Sequence, residues 1–253
     1  MQYRNSSRDL LIELRDVWFR YPLSSTWCIR GVNLRIHREE VLVLVGKNAS
    51  GKTTLLRLIA GIEKPQRGNI IRYTEGTYYI PQDPAIVLTK EVVSKYIHKL
   101  PRPDIVLEVV KYLGLEDSLE KSPLVLSLGQ RRCLAIALAL GMDVDLLLVD
   151  EPTLGLDNVV LVKLARVLRT FIEQGRLSLV IATQDLEFAE HLGVPTRAVL
   201  VDCGRIVLEG DLQTVARIWY GMLRVVKVPR LCTELGLDVV MTVDRFFERY
   251  LMC

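Results

Sequence analysis

A glycine-containing segment in the first quarter of the chain has residue types and spacing suited to binding phosphate. Residues 46–53 fit the pattern GxxxxGK[ST]. Glycines let the backbone turn tightly and aim N–H groups at phosphate oxygens, and a helix beginning directly afterwards adds a favourable dipole. The spacing predicts nucleotide-phosphate binding by Gly46, Lys47, Asn48, Ala49, Ser50, Gly51, Lys52, Thr53 and Thr54.

Four side chains have separate predicted roles in chemistry at a bound nucleotide. Lys52 is long enough to reach the β- and γ-phosphates, and the Thr53 hydroxyl can ligate Mg²⁺. Asp150 and Glu151 directly follow the apolar run 146–149. An acid at the end of a buried strand beside a phosphate loop can hold Mg²⁺, which is the role predicted for Asp150. Its neighbour Glu151 can polarise an attacking water as a general base.

Short apolar runs predict the strands that position these residues. Residues 41–45 and 146–149 are apolar without alternation, and residues 179–182 and 198–201 are similar. Such runs are typical of strands covered on both faces in a parallel sheet.

Other segments have patterns typical of strands in a sheet with one exposed face. Residues 32–36 alternate between apolar and polar, which predicts a half-buried strand. Residues 69–73 and 77–80, which flank a short connection ending in glycine, predict a hairpin.

Helical patterns occupy the rest of the chain. Apolar residues at helical spacing follow two of the strands, over 55–62 and 161–172, so the order of elements predicts an α/β fold with right-handed crossovers. From residue 83 to residue 141 the pattern is helical only, which indicates an insertion between two strands of the sheet. Beyond residue 212 the pattern is helical again, and Pro229 interrupts it.

Composition excludes several classes of protein. The 253 residues are 50% hydrophobic and 25% charged, which excludes a disordered or collagen-like chain. A net charge of +3, from 33 basic and 30 acidic residues, is too balanced for nucleic acid as the main partner. The longest apolar run, 133–142, is too short to span a bilayer, and Glu13 interrupts the first apolar stretch. Five scattered cysteines are read as reduced, so we expect a soluble, intracellular protein.

A segment before the acidic pair carries a family resemblance. Residues 126–130 read Leu-Ser-Leu-Gly-Gln, and Ser127 lies 23 residues before Asp150. The segment resembles the LSGGQ signature of the ABC ATPases. Ser127 and Gln130 also form a capping-box pattern that opens a helix. The resemblance implies that Ser127, Gly129 and Gln130 face the γ-phosphate of ATP held by a second subunit.

Other segments resemble further ABC motifs in the family's order. Tyr21 resembles the aromatic residue that stacks on adenine, and Gln82 resembles the glutamine that ligates Mg²⁺ and relays to a membrane partner. The resemblance places the relay's contacts after Gln82, where residues 86–88 are apolar. Asp157 resembles the acid of a loop at the dimer interface. Gln184 stands where the family usually has a histidine, so the implied catalytic residues are Lys52, Glu151 and Gln184.

Three departures from the family pattern bear on catalysis. Ala49 replaces a frequent glycine, which we expect to be mild if its φ is negative. Leu128 replaces the first glycine of the signature pair and adds bulk where the family's backbone approaches phosphate. Gln184 replaces the histidine: it can donate a hydrogen bond to phosphate but carries no titratable proton.

The resemblance implies a P-loop NTPase fold, with a parallel-sheet core, an antiparallel β subdomain and a helical subdomain that carries the signature. It predicts one ABC ATPase domain over 10–253. Residues 10–82 and 142–211 would form the nucleotide-binding core, residues 83–141 the helical subdomain and residues 212–253 a helical extension.

The C-terminal segment suggests a subfamily. Residues 228–244 resemble the tail of the energy-coupling factor ATPases, which drive uptake of vitamins and of cobalt or nickel ions. The implied protein uses ATP and Mg²⁺, pairs with a second ATPase subunit and docks on a transmembrane protein at the cytoplasmic face of the cell membrane. Two alternatives stay open, a poorly hydrolysing subunit of a heterodimer and another ABC transporter ATPase. A DNA-repair or translation protein is disfavoured, because the 44 residues between Gln82 and Ser127 cannot form a long coiled coil.

Overall fold

The computed structural model describes residues 9–88, 91–95 and 97–224. Regular elements in these ranges follow the chain as β1 (Leu10–Phe19), β2 (Ile29–His37), β3 (Val41–Val45), α1 (Lys52–Ile59), β4 (Arg67–Arg72), β5 (Thr77–Ile80), α2 (Pro103–Leu113), α3 (Leu128–Gly141), β6 (Leu146–Asp150), α4 (Asn158–Glu173), β7 (Ser178–Thr183), α5 (Glu187–Leu192), β8 (Thr196–Asp202), β9 (Arg205–Asp211) and α6 (Leu212–Arg224). Short 3₁₀ turns connect β5 to α2 and α2 to α3.

A six-stranded sheet in the order β5-β6-β7-β3-β8-β9 forms the centre of the fold. Its strands are parallel except β9, which runs antiparallel to β8. Every residue of β3, β6 and β7 is buried, as expected for strands covered on both faces. The predicted α/β fold with a parallel core is therefore confirmed.

A second sheet, in the order β2-β1-β4, is antiparallel and covers one face of the first. Helix α1 lies in the core between the two sheets, where Leu55 and Leu58 pack in the same cluster as Leu42 and Leu44 of β3. The alternate residues of β3, such as Val43, pack on the other side with α2 to α6. The sheet is therefore the boundary between two hydrophobic clusters.

The predicted hairpin between residues 69–73 and 77–80 is wrong. Strand β4 pairs with β1 in the antiparallel sheet, whereas β5 pairs with β6 in the parallel sheet. Residues 74–76 connect the two sheets, and hydrogen bonds fix them to the start of β6. The Thr74 hydroxyl donates to Asp145, and the Leu146 N–H donates to the Gly76 carbonyl over 3.0 Å. These contacts with the start of β6 draw β5 away from β4.

Four further elements differ from the prediction. Strands β1 and β9 and the short helix α5 were not predicted, and β1 pairs with irregular register that disrupts a simple alternation. Helix α1 ends at Ile59, before the predicted limit at Ile62, because Gly61 takes a left-handed φ of 80°. Helices α2, α3, α4 and α6 lie in segments with predicted helical patterns.

The helical segment between β5 and β6 packs on the parallel sheet through α3. Gly141, the last residue of α3, allows α2 to approach: a β-carbon there would lie 2.3 Å from Val106 Cγ2. No helix within the described ranges is long and apolar enough to cross a membrane. Residues 225–253, including Pro229 and the tail resemblance at 228–244, lie outside the described residues. The predicted domain limits therefore remain predictions.

Candidate functional site

The segment after β3 forms a tight loop that leads into α1. Gly51 is the residue before the helix and has φ 111°, a conformation that favours glycine. Gly46 is packed closely, because a β-carbon there would lie 2.2 Å from the Val201 carbonyl oxygen. The Gly204 N–H donates to the Ser50 carbonyl over 2.8 Å, which ties the loop to the turn between β8 and β9. Contacts with β8 and with the turn after it therefore fix the position of the loop.

Lys52 is held within this loop by its own backbone. Its Nζ donates to the carbonyls of Gly46 at 2.7 Å and Lys47 at 3.0 Å, and the residue is only 6% exposed. Burial lowers the pKa of Lys52, while the Glu151 and Asp150 carboxylates oppose that shift. The loop therefore concentrates a cation and backbone N–H groups at one helix N-terminus.

Ala49 does not have the negative φ under which its substitution for glycine would be mild. Its φ is 62°, in the left-handed region. An L-residue there brings its β-carbon close to the following carbonyl, at a cost of about 1–2 kcal/mol. The surrounding loop contacts therefore hold Ala49 in a strained conformation.

Asp150, the last residue of β6, is buried and incompletely hydrogen-bonded. Tyr79 donates to Asp150 Oδ2 over 3.5 Å, but Oδ1 has no hydrogen-bond partner among the described residues. Burial raises the pKa of Asp150, and the nearby Thr53 hydroxyl and Lys52 ammonium oppose the shift. An unpartnered carboxylate oxygen beside a hydroxyl fits Mg²⁺, which usually takes one or two carboxylates together with substrate phosphates.

Glu151 follows with a left-handed φ of 49° and is held by neighbouring strands. Its N–H donates to the Ala182 carbonyl over 2.8 Å, and Thr183 Oγ1 donates to Glu151 Oε2 over 3.1 Å. Burial raises the pKa of the Glu151 carboxyl, while the Thr183 donor and the Lys52 ammonium lower it. A carboxylate with a raised pKa is a better general base near neutral pH than an ordinary one.

These groups meet at a cavity of about 890 Å³. Among the predicted site residues, the cavity wall includes Tyr21, Asn48, Ala49, Ser50, Gly51, Lys52, Thr53, Thr54, Gln82, Glu151 and Gln184. Gly46, Lys47 and Asp150 are not among the lining residues. The carbonyls of Gly46 and Lys47 accept hydrogen bonds from Lys52, and Asp150 is in electrostatic reach of it. The structure therefore gathers residues from five separate segments of the chain into one site.

Two residues at the cavity are anchored by contacts that the sequence did not indicate. The Tyr21 hydroxyl lies 3.3 Å from Thr54 Oγ1 and accepts a hydrogen bond from Arg57 over 3.4 Å, which fixes Tyr21 to α1. The Gln184 carbonyl accepts a hydrogen bond of 3.1 Å from Trp219 Nε1 of α6, and its side chain is exposed. The Gln184 side chain is therefore available to a ligand while its backbone is held.

The signature-like segment lies outside this cavity. Ser127 and Gln130 form the predicted capping box at the start of α3, with hydrogen bonds of 3.2 and 2.9 Å. Gly129 packs against the Gly155 carbonyl, which a β-carbon would approach to 2.2 Å. Leu128 also contacts Gly155, so its bulk packs on the same chain. The N-terminus of α3 is thus separate from the phosphate loop of its own chain.

Comparison with known proteins places the chain in a family. A family model described as ABC transporter matches residues 29–154. An ABC transporter ATP-binding protein of Pyrococcus abyssi is 30% identical over 261 residues, which cover 94% of this chain and 98% of that protein. The chain belongs to the ABC transporter family of ATPases.

Two further known proteins are similar to this ABC ATPase, one in sequence and one in structure. The energy-coupling factor transporter ATP-binding protein of Methanocaldococcus jannaschii is 30% identical over 232 residues, covering 81% of this chain and 80% of that protein. The structure of cbiO1 from Clostridium perfringens, part of the ABC transporter complex cbiONQ, matches with a TM-score of 0.68 and 25% identity. That match covers 90% of this chain and 100% of the other.

Replacing Ala49 by glycine tests the strain in the phosphate loop of this ABC ATPase. Glycine removes the cost of the left-handed conformation, but it increases the conformational entropy of the unfolded chain, which costs about 0.4–1 kcal/mol. We therefore expect the free energy of unfolding to rise by about 0.5–1 kcal/mol. Thermal unfolding should show a rise in Tm. Ala60→Gly is the matched control, since Ala60 has a right-handed φ of −67° and glycine there should lower Tm. An Ala49→Gly protein with a lower Tm than the unmodified chain would contradict the inference that Ala49 is strained.

The Thr183 hydroxyl bond to Glu151 predicts a pH effect. Thr183→Val removes a donor that stabilises the Glu151 carboxylate, so the pKa of Glu151 rises further. A general base is lost on protonation, and the acid limb of the ATPase pH profile should therefore move to higher pH. Phosphate release at saturating ATP, measured across the acid range, checks this. Thr183→Ser keeps the hydroxyl and should leave the limb in place; an identical profile for Thr183→Val rules out control by this bond.

Proposed function

We propose that this ABC ATPase powers a membrane importer of the energy-coupling factor type, for a vitamin or a metal ion. The observation that carries the ATPase part is a single cavity that joins the buried Lys52 of the phosphate loop to the Glu151 carboxylate. Support for the subfamily comes from the resemblance of residues 228–244 and from the relatives of the energy-coupling factor and cbiO1 types.

The roles proposed for the site residues follow from their positions. Backbone N–H groups of the loop and the Lys52 ammonium bind the β- and γ-phosphates of ATP, and Tyr21 contacts the adenine. Thr53, Asp150 and Gln82 would hold Mg²⁺, which neutralises charge on the phosphates when it is bound. Glu151 takes a proton from the attacking water.

Gln184 completes the proposed catalytic set. Its side chain lies at the cavity, where an amide N–H can donate to a γ-phosphate oxygen. Because the backbone carbonyl is held by Trp219, the donor extends from a fixed point. An amide has no pKa near neutrality, so we expect any pH dependence of hydrolysis to come from Glu151.

A second ATPase subunit would complete each site. Ser127, Gly129 and Gln130 are absent from the cavity of their own chain, yet they lie at the N-terminus of α3, which attracts anions. In the proposed dimer this terminus faces the γ-phosphate held by the other chain. The partner is a second copy or a related subunit. In a heterodimer, the departures Leu128 and Gln184 favour the alternative role of a subunit that hydrolyses ATP slowly. Membership of another type of ABC transporter is the remaining alternative.

Substitutions in the phosphate loop and at Glu151 separate binding from hydrolysis. Lys52→Ala should weaken ATP binding because the phosphates lose their nearest cation. Glu151→Gln should leave binding intact and lower phosphate release by roughly 10²–10⁴-fold, because an amide cannot act as a base. Equilibrium binding of a fluorescent ATP analogue and steady-state phosphate release measure the two effects. A Glu151→Gln protein that retains turnover would remove Glu151 from the mechanism. A slow rate in the unmodified chain that a partner subunit restores would support the heterodimer.

The surface of this chain that we propose as the docking surface begins after Gln82. It would contact the cytoplasmic face of a transmembrane protein. Ile86 is 74% exposed and fits an apolar contact. Leu88, expected to be exposed with it, is 9% exposed and packs in the main hydrophobic cluster, so it is not a docking residue. A charge at Leu88 would destabilise the fold rather than the contact.

Ile86→Glu tests this surface. We expect loss of transport in the reconstituted importer, with the basal ATPase rate of the isolated chain within about twofold, because the side chain is exposed and surface changes cost little stability. The control is Ile62→Glu, an exposed isoleucine after α1, which should leave transport unchanged. Normal assembly and transport by the Ile86→Glu protein would place docking elsewhere.

A further inference from the structure

An arginine in the second turn of α3 has no assigned role in the proposed mechanism. Arg132 is completely buried, and it lies on the same helix that begins with the signature-like segment. Among the ion pairs of the described residues, none includes Arg132. Burial lowers its pKa, because desolvation penalises the charged guanidinium. A cation held this far from water needs compensating contacts.

The contacts that Arg132 makes are to the backbone of two predicted site residues. Its Nη2 donates to the Gln82 carbonyl over 2.5 Å, and its Nη1 donates to the Glu151 carbonyl. Its Nε has no acceptor within the described part of the chain. The strands that lead to these two residues, β5 and β6, are neighbours in the parallel sheet. One side chain therefore joins α3 to the ends of two strands at the nucleotide cavity.

Of the two residues that Arg132 contacts, Glu151 has the backbone conformation that needs a stabilising contact. A left-handed φ is unfavourable for glutamate and persists only where surrounding groups impose it. Hydrogen bonds to both ends of the residue do so. From β7, the Ala182 carbonyl accepts the Glu151 N–H and Thr183 donates to the Glu151 carboxylate. The Glu151 carbonyl accepts hydrogen bonds from the Leu154 N–H, over 3.3 Å, and from Arg132. Among these contacts of the described residues, the one from Arg132 links Glu151 to the helical segment.

We propose that Arg132 is a positioning residue for ATP hydrolysis, which fixes the peptide of Glu151 relative to Gln82 and α3. The inference rests on the proposed role of Glu151 as the base. A displacement of α3 changes the Glu151 peptide through Arg132, and with it the distance between the carboxylate and its Thr183 donor. The helix that carries the signature-like segment thereby controls whether the base is correctly placed.

Arg132→Lys tests this role while keeping the positive charge. A lysine ammonium is a single point and cannot span both carbonyls as a guanidinium fork does. We expect kcat for ATP to fall about 10–100-fold, since misplacement of a catalytic group by about 1 Å costs on that order. The KM for ATP and the affinity for an ATP analogue should change by less than about threefold, because Arg132 does not touch the phosphate loop.

Arg72→Lys is the matched control. Arg72 also donates to two carbonyls, those of Leu58 at 2.6 Å and Ile59 at 3.3 Å, but it does so at the C-terminal end of α1. Its replacement should lower Tm while kcat and the KM for ATP stay as in the unmodified chain. If Arg132→Lys fails to fold, Arg132→Gln supplies the same measurements with a neutral donor, and partial return of kcat on adding guanidinium to Arg132→Ala supports the proposal.

Two outcomes would overturn the inference. One is an unchanged kcat in folded Arg132→Lys, and the other is a loss of activity that follows Tm alone, as in the Arg72→Lys control. Glu151→Gln measured in parallel keeps this result apart from the proposed function. If Glu151→Gln abolishes turnover while Arg132→Lys does not lower kcat, the positioning role fails and the role of Glu151 stands. If Glu151→Gln is fully active, the proposed mechanism itself fails.

Discussion

The parallel register of three adjacent strands is the constraint on which the site depends. In that register Val45 lies opposite Thr183 and Asp150 lies opposite Ala182, so β3, β6 and β7 end at one edge of the sheet. The phosphate loop follows β3 directly and Gln184 follows β7 directly, while the acidic pair is the last residue of β6 and the one after it. The pairing of the strands is sufficient to bring these segments together, because backbone hydrogen bonds fix the strand ends, and the loops that follow them lie at the same edge of the sheet.

Burial then gives this edge its electrostatic character. Lys52 and Asp150 are buried and Glu151 is half-buried. The Lys52 ammonium and the two carboxylates favour one another's charged forms, whereas the Asp150 carboxylate raises the pKa of Glu151. Attraction between the Lys52 ammonium and the two carboxylates offsets only part of the free-energy cost of burying their charges. The pKa values of all three groups therefore remain displaced from their ordinary values. The Lys52 ammonium and the N–H groups of the loop are donors suited to the phosphates of ATP, since hydrogen bonds to a charged acceptor are stronger than those between neutral groups.

The sequence was sufficient for features that local pattern determines and insufficient for those that tertiary contact determines. The loop at 46–53 and the strand before Asp150 were predicted because glycine spacing and apolar runs act locally. The hairpin before β5 failed because β5 pairs with β6, far along the chain. Arg132 gave no signal, since an arginine in a helix is usually exposed, and only the packed structure shows its burial. The left-handed φ of Ala49 likewise depends on the loop as packed.

The contact between Gly129 and Gly155 limits how this protein can diverge in evolution. A β-carbon at Gly129 would meet the Gly155 carbonyl at 2.2 Å, and Gly155 itself has a left-handed φ of 83°. Neither position tolerates a side chain unless the start of α3 moves away from the loop before α4, so a change at one demands compensation by backbone movement at the other. Relatives that carry a larger residue at either position are therefore expected to hold the two segments farther apart, and to have acquired both changes together.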